Sequence, residues 1–397
     1  MPWQLQMIVL LACVSAPIQW YVAHRLAGAL RSVTNRRKRS IRTATYLVVF
    51  YPALYPLAML GGFLSGTNAV SRSSTLVDDV FKYPFWIGVV IAVQLAMILV
   101  VLDLARLILF PIYRRHKDRA PLLIAWLTLG LAFLSGIYCA VRIRTDTSGL
   151  RTERVVAHVA GLAPELSGLK IVQLSDVHVD RYTNGAKLQA YTDRANANDP
   201  DLIVFCGDLI SSGTDYIEQA ARAMGGLRAR YGVYACLGDH DYFSDPEMVT
   251  ERLEANGLVV LRDASRTIEA GSARICLTGV TNVYRRPADR STVQRLAAAR
   301  PHGQLDIFMT HQPSTWLVQS VAAGGYDLFL GGHTHGGQIT FPLPGFLLTG
   351  SSFETHYVTG SFQLGSTLAS ITNGLGMTLA PIRYQAPAEV TVISVER

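Results

Sequence analysis

The spacing of apolar and polar positions divides the chain near residue 144. Before that point lie four long, mainly apolar runs, Leu5–Val22, Ala44–Leu64, Pro84–Leu102 (extendable to Tyr113) and Leu122–Val141. Each comes close to or reaches the ~20 residues that cross a bilayer as a helix. A single run of this kind also fits a buried soluble helix, but four in series point to a membrane region over 1–143. Pro17, Pro52 and Pro56 would break soluble helices; membrane helices tolerate them better. No basic residue precedes the first run and no small-residue cleavage site follows it, so it does not read as a signal peptide.

From about Thr145 the texture changes. After a linker over 144–168, short apolar runs alternate with polar, helix-compatible stretches through 169–397. Lys170–Ser175, Asp201–Cys206, Tyr231–Leu237, Ala273–Gly279, Leu305–Thr310 and Tyr326–Leu330 read as strands, and Ala186–Ala197, Ile217–Arg230, Glu247–Asn256 and Ser291–Ala299 as helices between several of them. This alternation predicts mostly parallel pairing in a layered α/β fold. The tail segments Thr367–Asn373 and Glu389–Val395 add strands that would close a second sheet, giving a two-sheet αββα sandwich.

Composition supports the division. Half the residues are hydrophobic (50%) and only 16% are charged, against roughly a quarter charged in soluble domains. Residues 1–143 hold 15 Lys and Arg against 4 Asp and Glu, and 144–397 hold 21 against 25. The basic excess therefore belongs to the membrane part and not to a nucleic-acid-binding face. Arg31, Arg36, Arg37, Lys38, Arg39 and Arg42 in the first loop, and Arg114, Arg115, Lys117 and Arg119 in the third, place both loops in the cytoplasm. The loop between them has only Arg72 and Lys82, set against Asp78 and Asp79. Both termini, and the α/β domain, are then expected outside, although Arg142, Arg144, Arg151 and Arg154 follow the last run. Asp103 and Arg106 stand three apart, a spacing at which helical side chains meet. They read as a neutralising pair near the interface or as a lipid-headgroup contact. Cys13, Cys139, Cys206, Cys236 and Cys276 form no Cys-x-x-Cys pair and read as small buried hydrophobes.

The chemistry stands at the carboxyl ends of the expected strands, where α/β folds bind ligands. The first ends in Ser175-Asp176-Val177-His178, the second in Gly207-Asp208, and the third in Gly238-Asp239-His240-Asp241. Later ones end in Thr310-His311 and in Gly331-Gly332-His333-Thr334-His335. Each alone has an ordinary reading, an Asp capping the next helix or a His in a turn. Together they do not.

These blocks, in this order, resemble the calcineurin-like metallophosphoesterase superfamily over about Leu169 to Glu396. The runs Gly331–Ile339 and Asn373–Arg383 are similar to its membrane-associated bacterial phosphodiesterase branch, which includes relatives that cleave UDP-diacylglucosamine. The helices-then-phosphoesterase layout also resembles vertebrate transmembrane proteins with a metallophosphoesterase domain. The resemblance implies two divalent cations (Mn, Zn or Fe). Asp176, His178 and His335 would hold the first, Asp239, His311 and His333 the second, and Asp208 would bridge them. Carboxylates offset the repulsion of paired cations, and imidazoles complete the spheres without charge. His240 would be the non-ligand acid, oriented by Asp241. Glycines 207, 238, 331 and 332 would let backbone pass close to the metals.

The family usually has Asn where this chain has Asp239. The third carboxylate makes the site one unit less positive and removes an amide donor, which disfavours a dianionic monoester. The expected function is a membrane-anchored phosphodiesterase or pyrophosphatase on a lipid-linked or envelope substrate in a bacterial inner membrane. A non-catalytic sensor that binds a phosphorylated ligand is the alternative, and a transporter lacks an evident ion path. Arg285 and Arg286 read as a phosphate clamp or a solvated loop, Tyr242 and Phe243 as pocket lining or core, and His302 and His356 as structural or exposed.

Overall fold

A computed structural model describes residues 3–34, 38–66, 75–113, 120–183, 185–300 and 303–397. Arg36, Arg37, Arg72, Arg114, Arg115, Lys117, Arg119 and His302 lie outside the described residues. The chain forms two compact units, Met1–Thr145 with Leu379–Tyr384, and Asp146–Thr378 with Gln385–Arg397.

The first unit is helical: α1 (Trp3–Val33), α2 (Lys38–Phe50), α3 (Leu54–Leu64), α4 (Tyr83–Tyr113) and α5 (Ala120–Ser148). Four stretches are long and apolar enough to cross a membrane, Gln4–Val33, Arg39–Leu64, Asp78–Pro111 and Ala120–Ser148. Pro17 lies inside α1 without ending it. Pro52 instead falls in the 3-10 turn Tyr51–Ala53 that separates α2 from α3, as a residue without an amide proton would. The expected Asp103–Arg106 pair forms at 3.1 Å. It is part of a larger cluster, because Asp103 also pairs with Arg25 and accepts a bond of 2.7 Å from the Tyr21 hydroxyl. Residues 379–384 join this unit unexpectedly: the Tyr384 hydroxyl donates to Gln94 Oε1 at 2.8 Å. Cys13 is exposed, contrary to the reading of all five cysteines as buried; the other four are buried and all five are free thiols.

The second unit is a four-layer sandwich. One sheet has the order β1 (Leu150–His158), β14 (Ala388–Glu396), β2 (Leu169–Leu174), β3 (Leu202–Phe205), β4 (Val233–Ala235), β5 (Val259–Val260). The other has the order β12 (Gly360–Leu364), β13 (Thr367–Ile371), β9 (Leu328–Gly331), β8 (Leu305–Met309), β7 (Ala273–Gly279), β6 (Ala264–Ala270). Strands β2 to β5 pair in parallel, as do β7, β8, β9 and β13. A hairpin of β10 (Phe341–Leu343) and β11 (Phe346–Leu348) stands apart from both sheets.

Alternation along each strand builds the layers, since successive side chains face opposite ways. Ile171, Leu202, Val204, Leu305 and Ile307 meet between the sheets. Val172, Leu174, Ile203 and Phe205 face outward onto α6 (Ala186–Asn196), α7 (Ile217–Met224) and α9 (Pro246–Ala255). Phe308 and Phe329 face α10 (Arg290–Ala299) and α11 (Thr315–Ala323). Each fully buried side chain of this size contributes about 1.5–3 kcal/mol. Asp245 and Asp289 start α9 and α10 by accepting from the amides of Met248 and Thr292. Helix α7 stops at Met224, short of the expected Arg230, where Gly225-Gly226 follows and removes the side chains that favour a further turn. Within 144–168, expected as linker and domain entry, lies β1, an edge strand paired in parallel with β14 from Leu150↔Ala388 to His158↔Glu396.

Candidate active site

The loops after β2, β3, β4, β8 and β9 bring the seven expected ligand side chains together. Asp176, His178 and His335 place one ligand-type atom each within 4.8 Å of one another, and so do Asp239, His311 and His333. Asp208 joins the two triads. Its Oδ2 lies 3.4 Å from His178 Nε2 on one side and 3.3 Å from His311 Nε2 on the other.

The backbone at these loops is unusual. Asp176, His178, Asp208, His333 and His335 all have positive φ, between 47° and 70°, a region that costs L-residues energy and collects at functional sites. Hydrogen bonds enforce it: Asp176 and His178 donate their amides to the carbonyls of Gly207 and Asp208, and His333 donates its amide to Asp176 Oδ2 at 2.9 Å. Two glycines make the approach possible. A Cβ on Gly238 would stand 2.2 Å from Asp208 Oδ1, and one on Gly332 1.9 Å from Ser175 Oγ. Gly331, expected beside them, instead abuts Ile371, Phe329 and Pro313.

The donor set fits divalent cations. His178 Nε2 and His335 Nε2 face each other at 3.0 Å and stand 3.9 and 3.3 Å from the same oxygen, Asp176 Oδ1. Asp176 Oδ1 is buried and accepts no hydrogen bond. His311 uses Nδ1 on the Cys206 carbonyl at 2.8 Å, which aims Nε2 between Asp208 and Asp239, 3.3 Å from each. His333 turns Nδ1 to Asp239 at 3.0 Å and Nε2 to Glu354 at 2.9 Å. Among the described residues, the ion-pair partners of Asp176, Asp208 and Asp239 are histidines. Burial alone would raise Asp239, but the bonds and charges of His311 and His333 outweigh it and hold the carboxyl below the usual range. Burial disfavours the charged imidazoles, yet Asp208 and Asp239 raise His311, while Asp239 and Glu354 lift His333 to about 9. Burial also raises Asp176.

His240 and Asp241 depart from expectation in one respect. The His240 amide donates to Asp208 Oδ1 at 2.7 Å, and its ring Nδ1 meets the Ser211 carbonyl at 2.5 Å. A carbonyl only accepts, so the proton sits on Nδ1 and Nε2 is the nitrogen turned toward Thr378 Oγ1, 3.4 Å away. Asp241 does not orient this ring. It accepts three backbone amides, from Gly238 (2.8 Å), Asp208 (3.0 Å) and Leu209 (2.9 Å). The physical reason is helical: 240 and 241 are consecutive in α8 (Asp239–Ser244), and neighbours on a helix do not share a face. Burial, then the Asp208 charge, push Asp241 up to about 7 against the pull of its amides.

Comparison with known proteins agrees with this geometry. The family model described as calcineurin-like phosphoesterase matches residues 169–337. The Bacillus subtilis metallophosphoesterase YkuE is 32% identical over 58% of this chain and 79% of its own length. The chain belongs to the calcineurin-like metallophosphoesterases. A zebrafish (Danio rerio) transmembrane protein with metallophosphoesterase domain is 30% identical over 59% of this chain, and the match spans 55% of that protein. The Campylobacter jejuni metallophosphoesterase Cj0846 is 26% identical over 74% of this chain and 76% of its own length.

Several polar contacts of this metallophosphoesterase have no sequence signal. Asp239 accepts the Tyr284 amide at 2.6 Å and Gln312 Nε2 at 2.7 Å. Glu354, directly after the 3-10 turn Gly350–Phe353, backs His333. Ser211, whose carbonyl fixes His240, follows the Asp208 loop. Arg286 is taken up by Asp263 at 2.5 Å, and Arg285 donates to the Tyr242 carbonyl at 2.8 Å. Tyr242 is core, whereas half-buried Phe243 stands edge-on to His240 with ring centroids 5.8 Å apart. His356 is exposed.

Proposed function

We propose that the chain is a membrane-anchored, metal-dependent phosphoesterase that hydrolyses phosphodiester or pyrophosphate bonds, with a lipid-linked or envelope substrate. The observation that carries this reading is Asp208, one carboxylate oxygen shared between two separate ligand triads. Asp176, His178 and His335 would hold one divalent cation (Mn, Zn or Fe) and Asp239, His311 and His333 a second. Such cations lower the pKa of a water and offset charge on phosphoryl oxygens.

The protein's own groups do the rest. Asp241 fixes the amides of Asp208 and Gly238, and the His240 amide holds Asp208 Oδ1, so the carboxylate that would serve both cations is positioned by backbone. The Ser211 carbonyl takes the Nδ1–H of His240, so Nε2 is the nitrogen that would take up a second proton and, from the resulting imidazolium, pass it to the leaving oxygen. Asp239 keeps its charge through two donors and two imidazoles. That third carboxylate favours a diester monoanion over a monoester dianion. The basic loops around α1–α2 and α4–α5 support cytoplasmic loops and a catalytic unit on the non-cytoplasmic side of a bacterial inner membrane.

The test is hydrolysis by the purified full chain in detergent, stripped of metal and reloaded with Mn, Zn or Fe. The substrates are a bis-aryl phosphodiester, an aryl phosphomonoester and a nucleotide-sugar lipid. Metal-dependent turnover with diester preference is expected. Saturable binding of a phosphorylated ligand without turnover of any substrate would replace this reading by the sensor.

A further inference from the structure

A cavity of about 260 Å³ opens among α1, α4 and α5 within the helical unit. The charged and titratable side chains of its wall are His24 and Arg25 from α1 and Arg106 from α4, with no carboxylate among them. Small residues make the room: a Cβ on Gly28 would meet nothing within 4 Å. The two hydroxyls of the wall, Ser32 and Thr128, donate to carbonyls of their own helices, at 3.2 and 2.8 Å.

The charge around this cavity does not balance. Asp103 serves both guanidiniums through one oxygen: Oδ1 accepts from Arg25 and, at 3.1 Å, from Arg106, while Oδ2 accepts from the Tyr21 hydroxyl. Two positive charges therefore share one negative, and among the described residues neither arginine pairs with another carboxylate. A guanidinium carries five N–H donors, and each of these spends one on Asp103. Arg106 Nε is buried with no hydrogen-bond partner among the described residues. Surplus charge between apolar helices is costly until an anion meets it, and the planar fork of arginine matches the oxygens of a phosphate.

The depth of the cavity narrows the anion. It lies toward the end of Gln4–Val33, toward the end of Asp78–Pro111 and at the start of Ala120–Ser148. A span of 30 residues is about 45 Å long at 1.5 Å per residue, against a hydrocarbon core of ~30 Å. Its end turns therefore stand among lipid headgroups. The loops at this end are the two basic ones, and clustered Lys and Arg draw anionic lipid to a membrane surface.

We infer that Arg25 and Arg106 hold a phosphate group in this cavity, carried by a phospholipid of the leaflet at whose depth it lies. The site belongs to the helical unit and shares no residue with the ligand cluster of the α/β unit. Its volume is below the ~300–1,000 Å³ of sites for drug-sized ligands, which suits a headgroup and not a whole lipid.

The test is native mass spectrometry of the metal-stripped full chain in neutral detergent. The probes are dioleoyl phosphatidylglycerol, dioleoylglycerol and inorganic phosphate. Stripping the metal leaves the carboxylates of the ligand cluster to repel phosphate there. Arg106→Gln removes the surplus charge and leaves Arg25 paired with Asp103; Gly28→Leu keeps every charge and fills the space. Wild type should bind one phosphatidylglycerol saturably and dioleoylglycerol not at all. Both variants should weaken phosphatidylglycerol binding on the order of 10–100-fold, as loss of a charge-assisted bond does. Unchanged affinity in either variant overturns the site, as does equal binding of dioleoylglycerol by wild type. Inorganic phosphate that binds as tightly as phosphatidylglycerol, and is lost in both variants, upholds the phosphate site and overturns the phospholipid as its carrier.

Discussion

Asp241 separates a structural from a catalytic account of the site. Read from the sequence, it orients His240; in the structure it accepts three buried backbone amides and does not touch the ring. Its side chain is fully buried. Asp241→Ala would strand the amides of Asp208, Leu209 and Gly238, at about 1–3 kcal/mol for each unsatisfied donor. The total, about 3–9 kcal/mol, is most of the 5–15 kcal/mol that holds a typical domain together. Asp241→Asn is milder. Turned so that its oxygen takes the two amides now on Oδ2, it loses one bond and faces the Leu209 amide with a donor, at about 2–4 kcal/mol. For a unit of this size that lowers Tm by roughly 4–16 °C. Thermal unfolding of the full chain in detergent, with metal content measured beside kcat, is the assay. Asp241→Ala should fail to accumulate as folded protein, and Asp241→Asn should melt early and bind metal more weakly through a loosened Asp208. An Asn variant with wild-type Tm and metal content but a lowered kcat would refute the reasoning and restore Asp241 as the partner of His240.

Replacing His240 by Gln should leave metal stoichiometry intact and lower kcat by roughly two to four orders of magnitude; loss of metal would make His240 a ligand, as its proximity to His178 and Asp208 allows. Asp239→Asn should weaken one of two cations and raise monoester relative to diester kcat/KM, since it removes one of three carboxylates; unchanged metal content and unchanged ratio would show that charge at 239 does not tune the site. A cysteine placed at exposed Ser212 in a background free of native cysteines should react with an impermeant reagent on intact cells, and one at Arg39 only after permeabilisation; the reverse pattern inverts the proposed topology.

The layers and the grouping of the candidate ligands were legible for the same reason: both depend on residue type at a strand end. Apolar alternation at 171–174, 202–205 and 305–309 states which face is buried, and an Asp or His directly after such a run states where chemistry stands. What escaped was set by tertiary contact. Strand β1 has an irregular burial pattern, mostly exposed or half-buried, because it lies at a sheet edge. Glu354 gains its role from its contact with His333, which no local pattern encodes. Gln312 and Tyr284 hold Asp239 through one side-chain amide and one main-chain amide, and a main-chain donor is the same for every residue type but proline. Asp241 misled for a related reason: adjacency in sequence suggested a partner that helical geometry sends elsewhere.

The least legible feature is also the one that binds fold to site. Five of the seven proposed ligands have left-handed backbone, and none is glycine. Asp and His tolerate this region better than most residue types, yet each such residue still costs on the order of 1 kcal/mol. The strain persists because the loops are held from several sides at once. Gly207 and Asp208 carbonyls hold Asp176 and His178, Asp176 holds the His333 amide, and Asp241 holds Asp208. Each holder is itself a ligand, a ligand's neighbour or a group fixed by one. The ligand cluster therefore supplies part of its own support, and the carboxylates that define it repel one another until protons or cations intervene. A fold with this arrangement gains stability whenever a cation binds the folded form and not the unfolded chain. Such binding would offset strain in the ligand loops that neither sheet, packed on both faces, has to carry.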